Sequence, residues 1–425
     1  MKRVLFLLAC VQVAAVSALA WPAVYPTGTT LYDPDKAFNG YTLFAPLGDA
    51  PGGQTSMLYL IKMSGAVVHR WNVPFSPLQG RLSPNGNVTI IGRNDRDEPN
   101  RAGVGKYEMG GAAGWLVELS WEGKRLFKHV ALDMHHDFAR MPNGNIIYLT
   151  WERVPDAVRD KVRGGIKGSE HADGAMFNDG LVEIDTAGET VWEWHANTHL
   201  DPDLDIIGPL YKRQEWLHAN SVAVLADGNV AITARNTDSM LVIEKHSGQI
   251  LWRWGNTTYL DPQTGRLEYR SGPEAMGGPH DVREIPRGYP GAGHLLCYDN
   301  GTYTSASRTV EIDPTTRKLV WQSSERGLGR KHYSNFVAGA ERLPNGNTLV
   351  CDGANGRFFQ VTAKNDAVWE YVNPYLTSPL YGGAVFKIHH YTASYCPQFD
   401  ALPAAKGDAV VPKGEREGAP GHALR

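Results

Sequence analysis

The sequence is poor in cysteine and in long apolar runs. Only 4 of its 425 residues are cysteine, and Cys10 lies in the apolar segment at the amino terminus. If that segment is removed, Cys297, Cys351 and Cys396 remain, so at most one disulfide can form within the chain. A fold held together by disulfides is thereby excluded. Beyond residue 20, no apolar stretch approaches the roughly 20 residues that a membrane-spanning helix needs.

The sequence also lacks a strong charge of either sign. Lysine and arginine together number 42 and the acidic residues 45, which gives a formal net charge of −3. No dense basic run is present, so we expect no nucleic-acid partner. A glycine-rich phosphate loop, a serine nucleophile elbow and a paired-carboxylate signature for glycoside cleavage are absent as well. The apolar content of 42% is ample for a folded core.

The amino terminus has the features of a secretory signal peptide. Lys2 and Arg3 precede an apolar run that ends with the small residues Ala18 and Ala20. We therefore expect residues 1–20 to be cleaved and the mature protein to be periplasmic or secreted, without a membrane anchor. A lipoprotein is the alternative, because the residues up to Cys10 resemble a lipobox, but the apolar run continues well past that cysteine.

A tight turn followed by an apolar strand recurs along the chain. Asn-Gly and Asp-Gly between apolar runs are the strongest short hairpin signals, because both turn residues need positive φ. The copies are Pro84-Asn-Gly-Asn87, Pro142-Asn-Gly-Asn145, Ala226-Asp-Gly-Asn229 and Pro344-Asn-Gly-Asn347, with a degenerate copy at Gly293 and a first strand at Gly40-Tyr-Thr-Leu-Phe44.

Each copy is followed by an alternating strand, a turn and a strand with an aromatic residue. The equivalent positions recur on average every 60 residues and are His69, Phe127, Trp192, Trp252, Trp321 and Trp369. Six copies of a four-strand unit predict an all-β fold, a six-bladed β-propeller of four-stranded blades. We assign residues 21–400 to the propeller. Residues 401–425, rich in Ala, Pro, Gly, Lys and Glu, are predicted to be a disordered tail.

The topology of a propeller separates two rims. If the strands of a blade run from A at the centre to D outside, the A–B turns lie on one rim and the B–C and D–A connections on the other. The tight turns mark the plain rim, and the longest connections, at 152–180, 198–216, 256–279 and 325–334, lie on the opposite one. Loops of this length are usually functional. We expect the first two to cover the mouth of the central channel.

Three strands A begin on the elaborated rim with polar residues. His136 and His280 occupy equivalent positions, and Asn220, two residues after His218, aligns with His136. Strand B ends on the same rim at Arg235-Asn236 in one unit and at Asp299-Asn300 in the next. We therefore predict one site there. Its catalytic candidates are His280, His218, His136 and Arg235, and its substrate-binding candidates are Asn220, Asn236, Asp281 and Asn300.

Neutral imidazoles, a guanidinium and amides suit a tetrahedral oxyanion, and a histidine can act as a nucleophile. No cofactor or metal is required for such chemistry. Two alternatives remain open. In a metal-dependent propeller lyase or hydrolase, His136, His218 and His280 would be ligands, although Arg235 beside a metal is unfavourable unless an anion lies between them. In an exported binding propeller the site would not be catalytic.

Several motifs resemble those of the bacterial aryl-sulfate sulfotransferases, over most of residues 28–397. They are Glu215-Trp-Leu-His-Ala-Asn-Ser221, Thr233-Ala-Arg-Asn236, Gly248-Gln-Ile-Leu-Trp-Arg-Trp-Gly255, and His280-Asp281 followed by Leu296-Cys-Tyr-Asp-Asn-Gly301. The resemblance implies a periplasmic propeller that moves a sulfuryl group from an aryl sulfate to a phenol without a nucleotide donor. By motif match, His280 would be transiently sulfated, and a histidine would relay the phenolic proton. His136, His218, Asn220 and Arg235 would bind the sulfuryl oxygens.

Overall fold

The computed structural model describes residues 26–48, 56–93, 107, 109–323, 332–377 and 381–411. Six four-stranded antiparallel units form a ring, which confirms the predicted six-bladed β-propeller. From the inner to the outer strand, blade 1 consists of Val385–Thr392, Gly40–Pro46, Ser56–Lys62 and Val67–Val73. Blade 2 consists of Ser76–Leu82, Val88–Arg93, Gly114–Leu119 and Arg125–Val130. Blade 3 consists of Met134–Arg140, Ile146–Arg153, Phe177–Ile184 and Thr190–His195.

The remaining blades follow the same order. Blade 4 consists of Ala219–Val224, Val230–Ala234, Ser239–Ile243 and Ile250–Trp254. Blade 5 consists of His280–Glu284, Leu295–Asp299, Arg308–Asp313 and Lys318–Gln322. Blade 6 consists of Gly339–Arg342, Thr348–Asp352, Arg357–Val361 and Ala367–Val372, with Gly28–Tyr32 added outside. The minor elements are a parallel pair (Gly164–Ile166, Ile207–Lys212), a hairpin (Thr258–Leu260, Leu267–Tyr269), one α-helical turn (Asp156–Arg159) and 3-10 turns at Ala196–Thr198, Gly353–Asn355 and Pro397–Ala401.

The four predicted Asn-Gly and Asp-Gly turns join the two inner strands of blades 2, 3, 4 and 6. At the first of them Gly86 has φ of +86°, and at the second Gly144 has φ of +91°. A side chain at either position would be strained, which explains why the turn motif contains glycine.

Tryptophans of the outer strands link neighbouring blades. In six of them the indole N–H donates to a backbone carbonyl of the next blade. The pairs are Trp71 to Ser120, Trp192 to Lys245, Trp194 to Gly248, Trp254 to Arg317, Trp321 to Ala363 and Trp369 to Met63. Phe127, at the equivalent position in blade 2, has no N–H to donate. The aromatic series therefore serves packing between blades.

Both ends of the described chain contribute to ring closure. The last strand, Val385–Thr392, is the inner strand of blade 1 and pairs antiparallel with Gly40–Pro46. The first strand, Gly28–Tyr32, pairs with the outer strand of blade 6. The ring is thus closed twice, once at its centre and once at its periphery.

The expectation of disorder from residue 401 onward is wrong for residues 401–411. Ala405 is buried in the blade 1 core, the carbonyl of Pro403 accepts from the Tyr41 hydroxyl, and Val410 forms a β-bridge with Tyr32. The composition of this segment is typical of disorder, but its few apolar residues find a groove between blades. Residues 412–425 and the signal peptide predicted at residues 1–20 lie outside the described residues.

No helix in the described part of the chain is long and apolar enough to cross a membrane. Cys297, Cys351 and Cys396 are buried, and each is a free thiol.

A buried ion-pair network crosses the centre of the ring between the inner strands. Lys387, on the closing strand, is 1% exposed, and its Nζ lies 2.8 Å from Asp137 Oδ2 and 2.9 Å from Asp281 Oδ1. Arg283 forms further ion pairs with Asp281 and Glu341. These contacts join the inner strands of blades 1, 3, 5 and 6. The closing strand is therefore held by charge as well as by backbone hydrogen bonds.

We expect Lys387→Met to lower the free energy of unfolding by up to about 3–5 kcal/mol, because two buried carboxylates lose the cation that they share. Asp281 then keeps only Arg283 and Asp137 only Arg81 as a charged partner. Urea unfolding followed by tryptophan fluorescence measures this. The matched control is Lys406→Met, which removes an exposed lysine paired with the exposed Asp35. The control should unfold at the wild-type midpoint. Equal midpoints for both variants would contradict the role given to Lys387.

Candidate functional site

Backbone irregularities mark the starts of three inner strands on the elaborated rim. A β-bulge interrupts the inner pairing of blade 3 at His136–Asp137, of blade 4 at Asn220 and of blade 5 after His280. His136 and His218 both have positive φ, 52° and 51°. Bulges redirect side chains and occur often beside active sites, and positive φ is costly for residues other than glycine. Local strain is thus concentrated where the sequence analysis placed the site.

His136, His218, His280 and Arg235 line one cavity of about 580 Å³ on this rim. The rest of its wall is mainly apolar. It includes Leu47, Leu78, Met109, Phe336, Val337 and Phe386. No aspartate or glutamate is among the described residues that line it. The cavity combines histidine and arginine side chains with an apolar lining, which suits an anion attached to an aromatic ring.

The hydrogen bonds of His280 define its tautomer. Its Nδ1 lies 2.7 Å from Asn300 Oδ1 and 3.0 Å from the carbonyl of Gly278. The Asn300 amide is oriented by a second bond, from its Nδ2 to the Ser334 carbonyl. Both partners of Nδ1 are acceptors, so Nδ1 carries the proton and Nε2 carries a lone pair. Burial, together with the charge of Arg235, lowers the pKa of His280 to about 3. This imidazole is neutral at pH 7 and available as a nucleophile.

His218 has a different partner, a carboxylate. Its Nδ1 lies 2.8 Å from Glu215 Oε1, and Glu215 Oε2 accepts from the Trp151 indole. Burial raises the pKa of Glu215, but the charge and hydrogen bond of His218 outweigh burial, so the net shift is downward. A carboxylate behind an imidazole fixes its orientation and stabilises the imidazolium. His218 is therefore suited to carry a proton during a reaction.

His136 has a second imidazole as its partner. Its Nδ1 lies 2.8 Å from His135 Nδ1, and His135 Nε2 lies 3.2 Å from Asp179 Oδ1. Burial, followed by the charges of His218, His135, His280 and Arg235, holds the pKa of His136 well below its usual range. His136 thus provides a neutral imidazole, 4.9 Å from the His218 ring between centroids.

Arg235 supplies a fixed positive charge to the cavity, which Arg93 also lines. Its guanidinium carbon lies 4.9 Å from the centroid of the Tyr211 ring, and its Nη1 donates to Asn236 Oδ1 at 3.3 Å. Within the described part of the chain it forms no ion pair with a carboxylate. A guanidinium without a carboxylate partner, in the lining of a cavity, favours binding of an anion.

None of the four predicted substrate-binding residues is among those that line the cavity. Asn220 donates to the carbonyl of Pro279 and accepts from Thr233. Asn236 donates to the carbonyl of Glu215. Asp281 is bound to Lys387 and Arg283, and Asn300 is bound to His280. Their amides and carboxylate already form hydrogen bonds or ion pairs within the protein. These four residues therefore support the residues that line the cavity.

The long connections also differ in position from the expectation. The segments 152–180 and 198–216 pair with each other through Gly164–Ile166 and Ile207–Lys212, and neither is among the residues lining the cavity. The second segment does provide Tyr211, against which Arg235 packs. The described wall instead comes from shorter pieces, residues 47–48, 76–78, 109–112 and 336–337.

Sequence reasoning missed several partners of the site. Glu215 stands three residues before His218 in the same motif, a spacing that could have indicated the pair. Asp179, on the third strand of blade 3, and Tyr211, in the connection between blades 3 and 4, carry no local signal. Among the described residues, no group of three histidine, cysteine or carboxylate side chains is arranged to hold a metal ion.

The comparisons with known proteins place the chain in a family. Residues 70–374 match the arylsulfotransferase (ASST) family, which is well over half of the chain. The chain belongs to this family of β-propeller proteins. The resemblance inferred from the motifs is thereby confirmed. Comparison with curated proteins gives no match.

Solved propellers of several kinds are similar to the chain at low identity. A protein of unknown function from Bacteroides caccae is 11% identical, with a TM-score of 0.48, over 82% of this chain and 98% of that one. A Lactobacillus plantarum protein is 10% identical, with a TM-score of 0.43, over 83% and 99%. Virginiamycin B lyase of Staphylococcus aureus is 10% identical, with a TM-score of 0.40, over 83% and 86%.

The low pKa of His280 predicts a pH dependence of stability. The unfolded residue titrates near 6.5 and the folded one near 3, so between these values the unfolded state binds more protons. The free energy of unfolding therefore falls as the pH falls through this window. From pH 7 to pH 5, His280 alone should account for a loss of about 2 kcal/mol. Chemical denaturation of His280→Asn at the two pH values should lack this part of the loss.

The control is His246→Asn, which changes a histidine exposed on an outer turn of blade 4. This variant should lose as much stability between pH 7 and pH 5 as the wild type. If His280→Asn and His246→Asn have the same pH dependence, His280 is not held neutral by the fold.

Proposed function

We propose that the protein transfers a sulfuryl group from an aryl sulfate ester to a phenolic acceptor through a sulfated His280. The observation that carries this proposal is the tautomer of His280, whose Nδ1 is bound to two acceptors and whose Nε2 is left unprotonated in a cavity with a guanidinium. Membership of the arylsulfotransferase family supports the same reaction class. We further propose that the protein is exported, as the predicted signal peptide indicates.

In the first step, the lone pair of His280 Nε2 attacks sulfur and the bond from sulfur to the aryl oxygen breaks. His218, in the imidazolium form that Glu215 stabilises, gives the Nε2 proton to the departing phenolate. Arg235 and His136 bind the sulfuryl oxygens, whose charge must be held while the group is transferred. The products are a phenol and an N-sulfated His280.

In the second step, a phenolic acceptor enters the same cavity. His218 takes the phenolic proton, the phenol oxygen attacks sulfur and the N–S bond breaks, which returns the lone pair to His280. The apolar residues Leu78, Met109, Phe336 and Phe386 would hold the aromatic ring of donor and acceptor in turn. One aryl-binding cavity is sufficient because the donor phenol leaves before the acceptor binds.

His280→Asn tests the nucleophile. We expect turnover of a chromogenic aryl sulfate to be abolished, because the amide nitrogen has no available lone pair, while the fold is retained. Arg235→Ala should lower the rate by about 100- to 1,000-fold, as expected for loss of one group that stabilises developing charge. A radiolabelled donor should label the wild type, but not His280→Asn, through an acid-labile bond.

Wild-type turnover in a folded His280→Asn variant would contradict the assignment. A wild-type protein that binds aryl sulfates without turnover, in the presence of phenol, would favour the non-catalytic binding propeller. Loss of a stoichiometric bound metal together with activity in His280→Asn would favour the metal-dependent alternative.

Glu215→Gln tests the proton carrier. The neutral amide stabilises the His218 imidazolium less well, so we expect a loss of about 100-fold with a donor whose phenol is a poor leaving group. With a nitrophenyl sulfate the first step needs little protonation, and the loss in the rate of the phenol burst should be much smaller. Burst kinetics with both donors measure the difference. Equal losses with both would exclude a proton-transfer role for the pair.

A further inference from the structure

Asp238 lies at the turn between the second and third strands of blade 4 and does not line the catalytic cavity. It is fully buried and has positive φ of 53°. Within the described part of the chain no lysine or arginine forms an ion pair with its carboxylate. Such a group is expensive to bury unless it is thoroughly hydrogen-bonded. Four hydrogen-bond donors surround the Asp238 carboxylate and allow it to be buried.

One carboxylate oxygen is bound on the side of the catalytic cavity. Asp238 Oδ1 accepts from the backbone N–H of Gly278 at 2.9 Å and from the Tyr211 hydroxyl at 2.8 Å. The carbonyl of Gly278 in turn accepts from His280 Nδ1, and the Tyr211 ring lies under the Arg235 guanidinium. A single oxygen is thus connected to both groups that the proposed reaction uses most.

The other carboxylate oxygen is bound on the far side. Asp238 Oδ2 accepts from the Tyr303 hydroxyl at 2.6 Å and from the Thr257 hydroxyl. These residues line a separate and larger hollow between blades 4 and 5. The second oxygen therefore anchors the carboxylate to the body of the propeller, while the first one faces the site.

We infer that Asp238 is a positioning residue, which holds the Gly278 carbonyl against His280 and the Tyr211 ring against Arg235. The inference rests on the proposed function, because it concerns how that site is held. The Gly278 N–H is an obligatory donor and the three hydroxyls also donate here, so a carboxylate accepts from all four. An amide in its place has one acceptor oxygen, and its NH₂ group could bond only hydroxyls that turn to accept. Asp238 acts through Gly278 and Tyr211, and it does not touch the substrate.

The arrangement depends on the position of Gly278, which links Asp238 to His280. It has φ of +66°, and a Cβ there would lie 2.7 Å from the Thr302 hydroxyl, so the loop has little freedom to adjust. The preceding residue, Gly277, donates its N–H to Asp299 at 2.8 Å. If the bond from Gly278 to Asp238 is lost, the Gly278 carbonyl can move away from His280 Nδ1, which then keeps only Asn300 as an acceptor.

Asp238→Asn is the first variant. We expect kcat for aryl sulfate turnover to fall by up to about 100-fold, with a smaller change in KM, because the reacting groups are misplaced while the cavity remains. The control is Asp205→Asn, since Asp205 is a fully buried carboxylate bound by the Arg253 guanidinium at a distance from the cavity. The control should lower stability without lowering kcat. A loss of kcat no larger than in this control would overturn the inference.

A pair of tyrosine variants keeps the test decisive if Asp238→Asn does not fold. Tyr211→Phe removes a hydroxyl on the cavity side, and Tyr303→Phe removes one on the anchoring side of the same carboxylate. We expect kcat to fall about tenfold in Tyr211→Phe, the equivalent of one hydrogen bond. Tyr303→Phe should stay within about twofold of the wild type. Equal kcat values for the two variants would contradict the positioning role.

A spectroscopic readout separates this inference from the proposed function. In protein labelled with ¹⁵N-histidine, the His280 signal is identified by its absence in His280→Asn. The wild type should show the tautomer with the proton on Nδ1, and Tyr211→Phe should retain it. In Asp238→Asn the Nδ1 signal should shift, because Nδ1 then has Asn300 as its acceptor without the Gly278 carbonyl. An unchanged signal in folded Asp238→Asn would overturn the inference. If the wild type turns over no aryl sulfate, the proposed function fails, but this spectrum still decides the role of Asp238.

Discussion

The structure depends on one buried ammonium group. Lys387 comes from the strand that closes the ring, and it lies between Asp137 and Asp281, the residues that directly follow His136 and His280. The same contact therefore completes the propeller and fixes the backbone from which two of the three cavity histidines project. Ion pairs at this depth contribute little net stability unless every partner is present. Their effect here is to make the geometry of the site dependent on a closed ring.

The three histidines of the cavity differ mainly in what lies behind them. Neutral acceptors behind His280 leave its Nε2 unprotonated, a carboxylate behind His218 allows it to hold a proton, and a second imidazole lies behind His136. Chemically identical side chains thus receive different protonation behaviour from their partners. This division is the physical basis for giving them different roles in a transfer reaction.

The repeat in the sequence was sufficient to predict the propeller, because an Asn-Gly or Asp-Gly turn recurs in four blades and an outer aromatic position in all six. The clustering of His136, His218, His280 and Arg235 followed from the same register. The partners behind them were not predictable in this way. Glu215 is local to His218, but Asp179 lies on another strand of blade 3, Tyr211 in the connection between blades 3 and 4, and Lys387 on blade 1. The prediction of disorder was wrong for residues 401–411 for a related reason. Composition does not show that a segment can pack against distant parts of the fold.

The position of the closing strand has a consequence for how the protein folds. Val385–Thr392 pairs with Gly40–Pro46, which lies more than 300 residues earlier in the chain. Contacts of such large sequence separation form late, because they require closure of a very long loop. A chain emerging from a ribosome or a translocation pore would therefore carry five blades before the first blade is complete. The cavity would acquire its final shape only when nearly the whole polypeptide is available, so a truncated product should remain inert.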